Sequence, residues 1–163
     1  MKRYVRSADT IDENELFGQD VDLRGYYSGH TDDLELMEIY AHDPANSVRV
    51  NLALNHNAPP ELLRELAHDP CSEVRKYVVH NPNTPIDVVD SLWDDSSSGV
   101  RIDVALFTQN SEILMKMAKD PVAEIRCIVA ENKHTPAFTL LALLADSEPM
   151  VQQVAWEARN KRR

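Results

Sequence analysis

The chain has 163 residues, with 17 Lys and Arg against 27 Asp and Glu, a formal net charge of −10. That length suits one domain or one short solenoid. The charge argues against nonspecific duplex binding or an anionic membrane surface, since either needs a basic field.

Residues 1–30 carry 4 Lys or Arg and 6 Asp or Glu and fit no repeating pattern. They are expected to form an N-terminal cap, partly irregular, with a loose stretch from Ser7 to Gln19. Tyr4, Val5, Leu16, Phe17, Val21, Leu23, Tyr26 and Tyr27 are its possible buried anchors. The opening MKRYVRSADTIDE lacks the apolar core of a signal peptide, and no apolar run approaches a membrane span. A cytoplasmic home is expected.

A periodic pattern then takes over. Asp43, Asp69, Asp95, Asp120 and Asp146 follow one another at steps of 26, 26, 25 and 26 residues. Arg49, Arg75, Arg101 and Arg126 keep the same step, and Gln152 stands at the fifth position. A period of this size means a solenoid whose units bury their apolar faces against one another. Residues 31–163 are expected to hold about five such units of 26 residues.

Each unit reads as two short helices. In the unit from Ala58, Pro59 and Pro60 suit a helix start, and Glu61 favours the first turn. Leu62, Leu63, Leu66 and Ala67 recur at three and four, the stripe of helix A. Asp69-Pro70 breaks the chain, with Asp69 a candidate cap and Pro70 a candidate first residue for the next helix. Val74, Val78 and Val79 form the stripe of a shorter helix B, and Asn81-Pro82 stops it.

The other helix A stripes are Leu36, Met37, Tyr40; Val88, Val89, Leu92; Ile113, Leu114, Met117; and Leu140, Leu143, Leu144. Those of helix B are Val48, Leu52, Ala53; Val100, Val104, Ala105; Ile125, Val129, Ala130; and Val151, Ala155, Trp156. Thr84-Pro85 and Thr135-Pro136 read as cap-plus-first-residue pairs, and Asp32 with Glu35 as a capping box. The third unit departs: it is one residue short between Arg101 and Asp120, and Asp94-Asp95-Ser96-Ser97-Ser98-Gly99 replaces the Asp-Pro step. It is either drift absorbed by a loop or a local change that shapes a binding surface.

The spelling Asp-Pro-x-x-x-Val-Arg-x-x-Val-x-x-Asn-Pro-x-Thr-Pro over Asp69 to Pro85 resembles the leucine-rich repeat variant family. That family is similar in appearance to the HEAT and armadillo solenoids, and the resemblance covers roughly residues 32–158. It implies an all-α fold, a right-handed α-α superhelix of alternating α and 3₁₀ helices, with helix B the candidate 3₁₀ element. One member carries an iron–sulfur cluster on cysteines near its N-terminus. Residues 1–30 here contain no cysteine, so the cluster does not carry over. The resemblance implies no shared enzymatic activity.

The candidate ligand-binding residues are Arg49, Arg75, Arg101 and Arg126. Stacked in a file, they either bond the marker carboxylates between units or line an open stripe for an anion. His42 and His68 precede marker aspartates, and His56, His80 and His134 lie near the ends of helix B. A zinc site would require stacking across units. Cys71 and Cys127 occupy different positions of the unit, which argues against a disulfide framework.

No nucleophile motif, phosphate loop, dinucleotide fingerprint or Cys-x-x-Cys is present, and Ser96, Ser97 and Ser98 have no local base. No catalytic residue, metal or cofactor is assigned. Trp93 and Trp156 are possible contact anchors, with core burial the ordinary reading. The basic ends, Lys2, Arg3, Arg6 and Arg159, Lys161, Arg162, Arg163, read as solvated termini or a small phosphate patch.

These features point to a non-enzymatic scaffold that binds a protein or peptide, with basic partners favoured by the acidic balance. The alternatives are a nucleic-acid-binding solenoid using the Arg file and a purely structural or regulatory module. The sequence leaves oligomeric state and binding face open.

Overall fold

The computed structural model describes residue 18 and residues 20–162. Among them are eleven α-helices and no strand: α1 Val21–His30, α2 Leu34–Ala41, α3 Asn46–Leu54, α4 Pro60–Leu66, α5 Ser72–His80, α6 Ile86–Ser91, α7 Ser98–Phe107, α8 Ser111–Met117, α9 Ala123–Glu131, α10 Ala137–Leu143 and α11 Pro149–Lys161. Even numbers are A helices and odd numbers are B helices. The B helices pack one on the next from α1 to α11, and the A helices lie beside them in a looser second layer. The result is an all-α solenoid.

The stripes explain this stacking. Val48, Leu52 and Ala53 on α3, Val74 and Val78 on α5, and Val100, Val104 and Ala105 on α7 are all fully buried. They join Leu63, Leu66, Val88 and Leu114 from the A helices in one continuous core. Each unit alone would expose its stripe, so neighbours stabilise one another by burying apolar area, about 25 cal/mol per Å².

Several local expectations shift. The marker aspartate does not cap helix B directly. Asp69 Oδ1 accepts from Cys71 N at 2.7 Å, and Cys71 is the residue that precedes the helix, so Pro70 lies outside it. Pro85 and Pro136 occupy the cap position, while Thr84 and Thr135 donate back to the Val78 and Val129 carbonyls. Asp33, rather than Asp32, caps α2, because its carboxylate reaches the Glu35 and Leu36 N–H groups at 3.0 and 3.4 Å. Asn81 ends α5 in extended geometry rather than left-handed.

Helix B is α-helical and, at nine or ten residues in α3, α5, α7 and α9, longer than the adjoining A helices. Bonds of the 3₁₀ type are found at the helix ends, and the joints that leave the A helices hold consecutive ones: His68 N to Glu65 O and Asp69 N to Leu66 O, and likewise Lys119 N to Lys116 O and Asp120 N to Met117 O. A tight turn there lets each marker aspartate start the next helix within three residues.

The anchors expected in residues 1–30 divide. Tyr4, Val5, Leu16 and Phe17 lie outside the described residues. Val21, Leu23, Tyr26 and Tyr27 are 42, 44, 60 and 38% exposed. α1 instead buries Arg24, Gly25 and Ser28 against α3. A Cβ added at Gly25 would meet Asn51 Nδ2 at 3.0 Å, and Ser28 Oγ donates to the Val48 carbonyl at 3.0 Å. Small residues bring these two backbones together where apolar side chains would hold them apart.

Candidate functional site

The Arg file lies where each B helix begins. Arg49 Nε and Nη2 clasp both oxygens of Asp69, at 2.6 and 3.1 Å, in the following unit. Its Nη1 donates to the Asp43 carbonyl of its own unit at 2.6 Å. Arg75 holds Asp95 and the Asp69 carbonyl, Arg101 holds Asp120 and the Asp95 carbonyl, and Arg126 holds Asp146 and the Asp120 carbonyl. These four side chains are only 9–13% exposed.

Each guanidinium therefore works as a two-way clamp, and the planar fork of Arg is what permits it. Hydrogen bonding to the facing carboxylate raises the already high pKa of each arginine. Burial pushes Asp95 up, but Arg75 and the Ser97 N–H outweigh it and hold the carboxyl below its usual range. Asp146 is likewise lowered, chiefly by its bonds to Arg126.

The sequence reading missed one clamp. Arg24 Nε lies 2.8 Å from Asp43 Oδ2, and both side chains are buried, so the file extends back to α1. At the other end, Gln152 Nε2 donates to the Asp146 carbonyl at 2.6 Å. It keeps the bond within its own unit and carries no charge to be matched.

A second file runs where the B helices end. Asn81 Nδ2 donates to the Ala53 and Asn55 carbonyls of the preceding unit, at 2.8 and 2.9 Å. Asn55 does the same to Ser28 and Thr31, and Asn132 to Ala105 and Thr108. These carbonyls are the unpaired acceptors of a helix end. Arg162 performs this work for the last turn, reaching the Ala130, Asn132 and Thr135 carbonyls, so it is not a freely solvated terminus.

The irregular third unit breaks this second file. Thr108 stands where asparagine is expected, and its Oγ1 bonds Asp90 Oδ1 on α6 at 2.5 Å. Asn110 Nδ2 adds a bond to Asp90 Oδ2 at 3.0 Å. The lock thus runs between a B-helix end and an A helix.

The same joint contains a buried charge. Asp103 on α7 is 5% exposed. Its Oδ2 lies 3.0 Å from His80 Nε2 and 3.9 Å from Lys76 Nζ, both on α5. No donor is aimed at that oxygen, so the His80 contact is close in distance but not a hydrogen bond. His80 in turn meets the edge of Phe107, with ring centroids 5.1 Å apart, and faces Tyr77 at 6.5 Å.

Position explains why this is unusual. Two residues after the marker position, which Gln152 holds in α11, α3, α5, α9 and α11 carry Asn51, Tyr77, Ile128 and Val154. Tyr77, Ile128 and Val154, with Val50 and Ile102 one residue earlier, pack partly exposed along the B layer. Asp103 is the charged member of that row.

The remaining candidates scatter. His42 Nε2 lies 3.2 Å from Glu65, a pair largely open to solvent. Among the described residues no three metal-ligating side chains gather. Cys71 and Cys127 are free thiols. Burial and the Glu131 carboxylate raise the pKa of Cys127. Ser97 precedes α7, with its N–H bonded to Asp95 Oδ1 at 2.8 Å. Trp93 is half-buried with Lys116 Nζ 5.0 Å from its ring centroid. Trp156 is 58% exposed. Its equivalents Ala53, Val79, Ala105 and Ala130 are buried in units that another B helix follows, and no described helix follows α11.

Paired ladders of this kind define a helical-repeat scaffold. Residues 47–70 and 123–148 match the model of the leucine rich repeat variant. Those two segments are similar to that repeat, and each spans the end of one unit and the start of the next. No curated protein and no solved structure matches it. No described helix is long and apolar enough to cross a membrane.

Proposed function

We propose that this protein is a non-enzymatic scaffold whose B-helix face binds a protein or peptide partner. The observation that carries this reading is the set of apolar side chains left open on the B helices. Tyr26, Leu54, Leu106 and Phe107 are 60, 42, 54 and 46% exposed, beside the half-buried Tyr77 and Ile128. Exposed apolar side chains recurring on one face over several units suit the binding face of a repeat protein. Glu131 and Glu157 lie along the same face, and with the net charge of −10 they favour a partner with a basic segment. A nucleic-acid partner was attached to an open Arg file, and those guanidinium groups are committed to carboxylates.

Affinity capture from the source cell's extract tests the reading, followed by mass spectrometry at low and high salt. The wild-type chain should retain a protein, less of it at high salt. The double variant Leu54→Lys/Leu106→Lys should melt as the wild type does and lose that protein. Equal capture by both chains, or recovery of nucleic acid alone, defeats the reading.

A further inference from the structure

We infer that Asp103 is the anchor for an arginine side chain of the partner, in a slot between α5 and α7 that His80 fills in the free protein. This inference rests on the partner-binding reading above and deepens it.

Three observations converge. The first is an unmet acceptor: Asp103 Oδ2 is buried and no donor is aimed at it. A carboxylate buried in this way destabilises the fold unless it is paired and hydrogen-bonded. The neighbouring units solve the same position with Tyr77 or Ile128 and avoid the problem.

The second observation is the shape of the slot. His80, a flat ring with an N–H edge, lies 3.0 Å from the carboxylate and against the edge of Phe107. A guanidinium is flat too, but it has five donors and a fixed fork. It meets both carboxylate oxygens at once, which the imidazole does not, and its face stacks on an aromatic ring. His80 is 38% exposed at its side chain and Lys76 is 47% exposed, so both can turn outward.

The third is location. The slot lies in the joint where the asparagine file is broken and Thr108 turns to Asp90 instead. Leu106 and Phe107, both open to solvent, flank it on α7. An acid set in an apolar row gives register to a partner that apolar contact alone would let slide, because one cation must reach one carboxylate.

The inference separates from a structural role through stability. A structural His80–Asp103 pair requires Asp103→Asn to lower the melting temperature. An unmet carboxylate kept for binding requires that variant to melt at the same temperature or higher, since the amide carries no charge into the core.

The full chain, isotope-labelled, is titrated with Nα-acetyl-arginine N-methylamide and with the citrulline analogue, which has the shape without the charge. The arginine probe should shift the His80 ring and the α5 and α7 amides saturably, and the citrulline probe should not. Asp103→Asn should abolish that response. His80→Ala, which uncovers the carboxylate, should strengthen it several-fold. Equal responses to the two probes, a response surviving in Asp103→Asn, or a lowered melting temperature in that variant overturns the inference.

Capture from extract keeps the two readings apart. A partner held equally by the wild type and Asp103→Asn removes the anchor and leaves partner binding standing. Failure of both chains to hold any protein removes partner binding, and the probe titration still decides the slot.

Discussion

The α3–α5 joint and the α5–α7 joint share one lock and differ in the other. In both, an arginine at the start of a B helix clasps the next marker aspartate: Arg49 with Asp69, and Arg75 with Asp95. At the far ends of the same helices they part. Asn81 bonds the Ala53 and Asn55 carbonyls, whereas Thr108 and Asn110 bond Asp90. The Arg–Asp clamp therefore recurs unchanged in both joints, and their hydrogen bonding differs at the opposite end. The α5–α7 joint also holds Asp103, whose buried Oδ2 accepts no hydrogen bond.

The largest effect should come from breaking the shared lock. Asp69→Ala leaves the Arg49 guanidinium 9% exposed and without its carboxylate. We expect a loss of about 3 kcal/mol in urea unfolding, the low end for a buried pair because the file lies near the surface of the stack. Arg49→Met added to Asp69→Ala should lose less than the two single changes summed, since the second removes the stranded charge. Additive losses would mean that the clamp is not a coupled unit.

Acid attacks the same lock in a defined direction. Asp95 and Asp146 are held below the usual carboxylate range in the folded chain, Asp146 chiefly by Arg126 and Asp95 by Arg75 and Ser97 against its burial. A lowered folded pKa gives stability that is present above the unfolded pKa and lost as pH falls through the folded one. Melting temperature should thus hold down to about pH 4 and then drop. In Arg126→Gln the drop should be shallower, because Asp146 no longer differs as much between the folded and unfolded states. An unchanged acid limb in that variant would detach the file from acid stability.

The file was legible in the sequence, and the reason is physical. A solenoid repeats every contact, so a residue that bridges units must recur with the period, as Arg49, Arg75, Arg101 and Arg126 do. Arg24 escaped because α1 buries Gly25 and Ser28 rather than a stripe of Val and Leu, and an apolar pattern cannot register such packing. Asn55, Asn81 and Asn132 did carry a signal, since they recur near the same step, but each also reads as a helix stop. Asp103 was hidden because an acid on a helix is ordinarily solvated. Only the position of α5 beside it shows the charge to be buried.

The asparagine file should yield a smaller effect than the clamp. Asn81→Ala strips donors from two carbonyls, and we expect about 2 kcal/mol. Thr108→Val removes one bond to Asp90 while Asn110 keeps the other, so about 1 kcal/mol or less is expected. Equal losses would show that the rerouted lock bears as much of the fold as the regular one, and the α5–α7 joint would lose its claim to be the adaptable place.

The smallest effect belongs to Gln152, which separates the two halves of the clamp. Its amide bonds the Asp146 carbonyl at 2.6 Å, the half that Arg126 makes to Asp120 and Arg75 to Asp69. The other half, a carboxylate from a following unit, has no counterpart among the described residues. An arginine there would retain the carbonyl bond and gain no ion pair. Gln152→Arg should accordingly change stability by less than about 0.5 kcal/mol, the range of surface substitutions. The reciprocal change, Arg126→Gln, keeps the bond to Asp120 and abandons Asp146, and should lose about 2 kcal/mol. If the two swaps matched in unfolding free energy, the inter-unit carboxylate would contribute nothing, and the stacking of the B helices would rest on apolar burial alone.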